Sequence, residues 1–288
     1  MTLQEQVEQK NEYERRKKAG QNPEPLVERV DLAELAGEQR YQNAIDCENI
    51  QAICSAVIRG HELTYYTPSR RLLWQALGLE YIEPELLDFI DKMPDDSVYF
   101  DVGASNGLFA VYAAKTNKKT YCFEPESSNY FLLSYNSYLN RSSFRHALKF
   151  FNVALFDSSG VGSIYMEKFE VGGHLKILDK AVKRGEKTFI PEFVQPTLKY
   201  TLDDFIAFTG SEKPEYIKID VDGTDMQVLY GMKKTLEYPG LKKIYIELEE
   251  SGPKFQQCKT YLEQYGFRVE FHKRLQNYFG EENYIFSR

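Results

Sequence analysis

Residues 98–114 read VYFDVGASNGLFAVYAA and residues 121–126 read YCFEPE, an order that commits the chain to a β–α–β unit. Val98, Tyr99, Phe100 and Val102 form the apolar run of a buried strand, and Leu108, Val111 and Tyr112 recur at helical spacing. Gly103 and Gly107 bracket the tight turn between them. A turn without side chains lets backbone N–H groups approach a ligand, and the helix N-terminus that follows offers further donors. The second strand ends in Glu124, where a carboxylate can accept hydrogen bonds from both hydroxyls of a ribose. The bland alternative is a turn that merely closes a β–α unit.

The turn reads D-x-G-x-x-x-G, not G-x-G-x-x-G. Ser105 stands where a middle glycine would let a pyrophosphate lie against the backbone, and Asp101 would repel a phosphate at close range. S-adenosylmethionine, a nucleoside with a cationic amino-acid tail, fits such a turn better than NAD does. Two rivals stay open: an NAD-linked oxidoreductase on the same fold, and a catalytically silent binding protein that kept it.

Composition narrows the class. With 288 residues, 42% hydrophobic and 14% aromatic, the chain can bury one substantial core and an accessory region. A net charge of −7 argues against holding nucleic acid on a broad basic face. No apolar run approaches the roughly 18 residues that span a bilayer, and the first twenty residues are too polar for a secretory signal. Cys47, Cys54, Cys122 and Cys258 have no metal-like or disulfide-framework spacing, so a reducing cytoplasm is the expected compartment.

Residues 1–95 read as a polar arm and a helical cap, and 96–288 as the main α/β domain with an insertion at about 161–200. Stretch 2–19 suits a short helix or an oligomer contact. Ile50, Ile53, Cys54, Val57 and Ile58 make one helical stripe, Leu72, Leu73, Ala76 and Leu77 another, and Leu86, Leu87, Phe89 and Ile90 a third that Pro94 ends. From 97 onward strands and helices alternate, the signature of a parallel sheet. ALKFFNVAL (147–155) reads as one strand, VGSIYMEKF (161–169) as a hairpin, and 170–200 as irregular. FRVEF (267–271) and NYIFS (283–287) read as a late antiparallel pair. Asp101, Glu124, Asn152, Asp220, Asp222 and Glu247 then fall at the carboxyl ends of strands, the rim where such sheets bind ligands.

Seven pieces in order resemble the FkbM family of S-adenosylmethionine-dependent methyltransferases, a Rossmann-like group: FDVGASNG (100–107), FEPE (123–126), a helix with Asn129 and Asn136, NVALFDSSG (152–160), TLDDF (201–205), IKIDVDGTD (217–225) and YIELEE (245–250). The family more often carries Glu where this chain has Asp222 and Asp225. The resemblance implies a doubly wound, mostly parallel sheet of seven strands with the last one antiparallel. It implies O-methylation of a hydroxyl on a sugar, glycan or related small-molecule acceptor. By position, it places Asp101, Gly103, Ala104, Asn106 and Gly107 around the methionine part, and Glu124 on the ribose. Asn152, Val153 and Ala154 fall at the adenine edge, and Asp220 at the amino-acid tail or the reacting centre.

A hydroxyl acceptor must lose a proton during attack, and Asp220 and His174 are the candidate bases. Alternatively, Asp220 with Asp222 could hold a divalent ion that polarises the hydroxyl. Lys176, Lys180, Lys183, Arg184 and Lys187 read as a solvated basic loop, or as contacts for a phosphorylated or acidic acceptor. A nucleic-acid substrate is disfavoured, because IDVDG stands where base-amino methylases carry Asp/Asn-Pro-Pro-aromatic and no Pro-Cys nucleophile occurs.

Overall fold

The computed structural model describes Ala33 and residues 37–174, 176–182, 188–249, 253–274 and 281–288. The helix predicted over 2–19, and Lys183, Arg184 and Lys187, lie outside the described residues. Helix α1 (Gly37–Asn49) buries none of its side chains. Strands β1 (Ile53–Ile58) and β2 (His61–Tyr66) then pair as an antiparallel hairpin, where the first apolar stripe predicts a helix. The turn decides the matter. Arg59 and Gly60 take φ of 47° and 83°, the left-handed pair that a two-residue hairpin loop needs to match strand twist. Alternation then turns Cys54, Ala56 and Ile58 inward and exposes Ile53 and Val57. Helices α2 (Arg70–Leu77), α3 (Leu79–Ile82) and α4 (Pro84–Asp91) follow the other two stripes, burying Leu72, Ala76, Leu86, Leu87, Phe89 and Ile90.

The chain continues through β3 (Val98–Val102), α5 (Leu108–Lys115), β4 (Lys119–Phe123), α6 (Ser127–Asn140) and β5 (Lys149–Phe151). Next come β6 (Ala154–Leu155), β7 (Gly160–Met166), β8 (Lys176–Leu178) and β9 (Phe193–Tyr200). Helix α7 (Leu202–Thr209), β10 (Tyr216–Ile219), α8 (Asp225–Tyr230), α9 (Lys233–Glu237) and β11 (Lys243–Glu249) lead to the last unit, α10 (Pro253–Glu263), β12 (Arg268–Arg274) and β13 (Glu281–Ser287). The main sheet runs β12-β13-β11-β10-β3-β4-β5. β13 is antiparallel to both neighbours, and the remaining pairs are parallel. The seven-stranded, doubly wound sheet is the one expected.

The two faces of this sheet differ. Phe100, Val102, Phe123, Ile217, Ile219, Ile244 and Ile246 pack on one side with Leu229, Leu236 and Leu262 of the helices. The other side carries Tyr99, Cys122, Tyr216 and Tyr245 against α4, α5 and the hairpin. Period-2 alternation puts Asp101 and Lys218 on this second face as well, directly opposite each other in the β3–β10 register. Helix α6 also holds the hairpin. The Asn140 carboxamide accepts from Thr64 N at 3.0 Å and donates to Thr64 O at 2.6 Å, while Asn136 Oδ1 accepts from Tyr66 N at 2.7 Å. Two asparagines thus pair the free edge of β2 as a neighbouring strand would.

The predicted strand over 147–155 is two strands in two sheets. β5 closes the main sheet, and β6 turns away to pair with β9. The insertion is not irregular either. β9 pairs antiparallel with β7 along seven residues, β8 pairs with β7, and the order β6-β9-β7-β8 makes a second sheet beside the first. Its return strand contains Pro196 and is largely exposed, which hides the alternation that marks a buried strand. At its far end the chain passes so close to the main domain that a Cβ on Gly231 would lie 1.9 Å from Phe156 O. That approach breaks the helix after Tyr230 into α8 and α9.

Candidate active site

Where β5 and β6 part company, a cavity opens over the carboxyl ends of β3, β4 and β10, closed on its far side by the insertion. Gly103, Ser105, Glu124, Glu126, Val153, Ala154, His174, Lys176, Asp220 and Asp222 line it. Asp101, Ala104, Asn106, Gly107 and Asn152 do not, and each supports it from behind.

Asp101 is 1% exposed beneath the glycine turn. Ala104 is buried, and its N–H and that of Gly103 both donate to Phe123 O, which ties the turn to β4. Asn106 points away from the cavity and donates from Nδ2 to Gln75 Oε1 at 2.8 Å. Gly107 packs on α6, where a Cβ would come 2.3 Å from Leu133 Cδ1. Asn152 Nδ2 donates to Glu124 O and Pro125 O, so its amide fixes the turn after β4.

Glu124 is buried and its two oxygens accept from Ser105 N at 2.8 Å and Glu126 N at 2.9 Å. Burial outweighs these bonds and pushes its carboxyl up to about 7. Each carboxylate oxygen has two lone pairs, so one on each remains for a ligand. Glu126 caps α6 by accepting from Ser128 N and Asn129 N, and Lys176 Nζ from β8 donates to the same carboxylate. The lysine holds that carboxyl below its usual range against the pull of burial. Lys176 N donates to Asp222 Oδ2 at 3.0 Å, so one residue of the insertion spans the cavity from α6 to β10.

Under the other end lies Lys218, which sequence reading passed over. Its Nζ donates to Gly103 O at 2.7 Å and stands 3.2 Å from Asp101 Oδ1 and 3.4 Å from Asp220 Oδ2. Burial opposes its charge, but Asp101, Asp220 and Glu83 more than offset this and keep it protonated. Burial raises the Asp101 carboxyl despite the lysine, and burial together with Asp220 pushes Glu83 up to about 8. The signal was present: a lysine inside the apolar strand YIKI needs a buried partner.

His174 is exposed at the cavity edge, with Nε2 3.4 Å from Gln75 Nε2. Gln75 Oε1 already accepts from Asn106, so its amide nitrogen faces the ring and His174 Nε2 is the acceptor. Asp220 and Asp222 do not converge, since one turns to Lys218 and the other to Lys176 N. Among the described residues, no group of three or more His, Cys, Asp or Glu could hold a metal ion.

The cavity therefore carries a buried carboxylate with free lone pairs at one end and further acids at the other. That donor set suits a ribose joined to a cationic tail. The methyltransferase FkbM domain matches residues 101–269, more than half of the chain.

The chain belongs to this family.

Its activity is methyl transfer and its cofactor is S-adenosyl-L-methionine, which decides against the NAD-linked and silent readings. Methyltransferase 1 of Beauveria bassiana (strain ARSEF 2860) is 26% identical over 215 residues, covering 67% of this chain and 82% of its own length. Methyltransferase sdnD of Sordaria araneosa is 26% identical over 235 residues, covering 74% and 89%. The crystal structure of methyltransferase FkbM from Methylobacillus flagellatus KT superposes with a TM-score of 0.50 at 14% identity, over 71% of this chain and 46% of that one. That likeness is one of fold. Among the described residues, no helix is long and apolar enough to cross a membrane.

Proposed function

We propose that this FkbM-family methyltransferase methylates a hydroxyl of a sugar, a glycan or a related small-molecule acceptor. The observation that carries the reading is the cavity itself, with Glu124 at the end of β4, Asp220 at the end of β10 and His174 across from them. Bound S-adenosylmethionine supplies a methyl already activated on a sulfonium. Glu124 would hold the ribose hydroxyls, the Gly103–Ser105 turn the methionine portion, and Val153 and Ala154 the adenine face. Asp220, whose Oδ2 stands 3.4 Å from Lys218 Nζ, would meet the cationic end.

The chain's remaining task is to align the acceptor oxygen and take its proton. Holding the two reactants in line can supply roughly 7–11 kcal/mol of the barrier. Asp220 and His174 are the two groups that can receive the proton, and His174, being exposed, can pass it to solvent. His174→Ala is expected to lower turnover by about 10²–10⁴-fold, the usual worth of a positioned base. S-adenosylhomocysteine affinity should stay as it was. Mass spectrometry of hydroxylated compounds incubated with donor carrying a labelled methyl would measure the first quantity. Unchanged turnover would leave Asp220 as the base.

Glu124 gives the cofactor site a pH dependence. Ribose hydroxyls donate to the ionised carboxylate, so binding favours loss of the Glu124 proton. Affinity for S-adenosylhomocysteine should therefore rise from pH 6 to pH 8 through the carboxyl's value of about 7, then level off. Glu124→Gln should flatten that profile and weaken binding about tenfold or more at pH 8, a charge-assisted hydrogen bond contributing about 1.5–3 kcal/mol. Calorimetric titration at three pH values tests both. A wild-type profile as flat as the variant's would remove Glu124 from the ribose.

A further inference from the structure

Beside the cofactor cavity lies a second one of about 560 Å³, and its chemistry is the opposite. Tyr66, Pro68, Leu72, Phe131, Leu132 and Val171 form its walls, serines complete the rim, and among the described residues no charged side chain lines it. The cofactor cavity carries Glu124, Glu126, Asp220 and Asp222. Two glycines separate them. Gly173 lines the cofactor cavity, while Gly172, at φ +75°, packs so tightly on the groove that a Cβ would come 2.7 Å from Leu72 Cδ2. The polar link is equally short: Ser128 lines the groove, and its Oγ donates at 2.7 Å to Glu126, which lines the other side.

The groove also runs onto an aromatic track. Phe131 and Tyr138 are each 54% exposed on the outer face of α6, with Tyr135 between them. Tyr66 meets the Tyr135 ring edge-on at 4.8 Å, and Phe131 stacks on Tyr135 at 5.9 Å. These rings at positions i, i+4 and i+7, exposed at Phe131 and Tyr138 and half-buried at Tyr135, stand outside the core, because Leu132 and Leu133 already bury the inner face. The Arg141 guanidinium lies over the Tyr138 ring at 3.9 Å, so the flat apolar surface left open to a ligand is that of Phe131, on the groove itself.

We propose that this groove is a subsite for the far end of the acceptor, and that it takes an uncharged, apolar ring system. The acceptor's hydroxyl would reach past the Gly172–Gly173 edge to the donor. This rests on the methyl-transfer reading above and adds the acceptor's chemistry to it. It also rules against a phosphorylated acceptor held by Lys176, whose ammonium is already committed to Glu126.

Two probes test it, 2-naphthol, which is uncharged, and 2-naphthalenesulfonate, its charged counterpart, each titrated by its own fluorescence. The full chain should bind 2-naphthol saturably and the sulfonate about tenfold more weakly, because desolvating a charge there is uncompensated. Val171→Trp, which fills the groove from an exposed position, should abolish naphthol binding. Phe131→Ala should weaken it about threefold or more, the scale of one lost aromatic contact. Both variants should keep wild-type calorimetric affinity for S-adenosylhomocysteine, which also shows that they fold. No naphthol binding, equal binding of the sulfonate, or indifference to Val171→Trp would each overturn the groove. Loss of S-adenosylhomocysteine binding by the wild type would instead overturn the cofactor reading, and the naphthol titration would still decide the groove.

Discussion

Gly103→Ala should give a protein that melts far below wild type and no longer binds S-adenosylhomocysteine. Gly103 has φ +78°, and a Cβ there would stand 1.9 Å from Asp220 O and 3.0 Å from Val221 Cγ1. Neither neighbour can retreat cheaply, because Asp220 N donates to Val102 O and Lys218 Nζ donates to Gly103 O across the same junction. The left-handed backbone alone costs about 1–2 kcal/mol for a residue with a Cβ. Overpacking adds typically 1–3 kcal/mol, and occasionally more where backbone must move. Relief would part β3 from β10 at the cavity floor, so the ligand is lost with the stability. Gly210→Ala is the control: its φ is +64°, but among the described residues nothing lies within 4 Å of the new Cβ, so only the backbone cost applies. Thermal melts of both variants, with and without S-adenosylhomocysteine, measure the difference. Equal melting points would mean that the floor is not packed as described.

What could be read before the fold was known follows the physics of each segment. The unit from Val98 to Glu124 was legible because buried parallel strands are continuous apolar runs and a glycine turn has few alternatives. The hairpin at Ile53–Tyr66 was not, since five apolar residues happen to match helical spacing as well as alternation. Only Arg59-Gly60 carried the distinction. The return strand Phe193–Tyr200 was hidden for another reason, as its exposed Phe193, Val194 and Leu198 leave no clean alternation to see. At the site, the carboxylates were predicted from strand ends, but their partners were not. Lys176 reads as one of several loop lysines until β8 brings it to Glu126. Gln75 joins Asn106 to His174 from a helix some thirty residues before the turn, a contact that no local pattern announces.

Lys218→Met should destabilise the fold by about 3–5 kcal/mol, the usual result of removing one partner of a buried charge pair. The lysine side chain is 5% exposed and Asp101 2%, and the two are opposite each other in register at 3.2 Å. Without the ammonium, the Asp101 carboxylate is left buried and facing Asp220. Its carboxyl, already raised by burial, must rise further, because the one effect holding it down has gone. The sign of the pH effect follows. A carboxyl whose folded pKa exceeds its unfolded one binds its proton more tightly when folded, so the penalty is absent below the unfolded value and grows as pH rises through the folded one. Lys218→Met should thus unfold at lower urea concentration at pH 8 than at pH 5.5. Adding Asp101→Asn removes the stranded charge and should recover most of the loss at pH 8, leaving mainly the pH dependence that the buried carboxyls of Glu124 and Glu83 carry in this range. Urea unfolding of the single and double variants at the two pH values provides the comparison. If Lys218→Met stayed within about 1 kcal/mol of wild type at both, below the usual cost of a stranded buried charge, the lysine would be dispensable to the floor. Asp220 would then owe its place over the cavity to the β10 backbone alone.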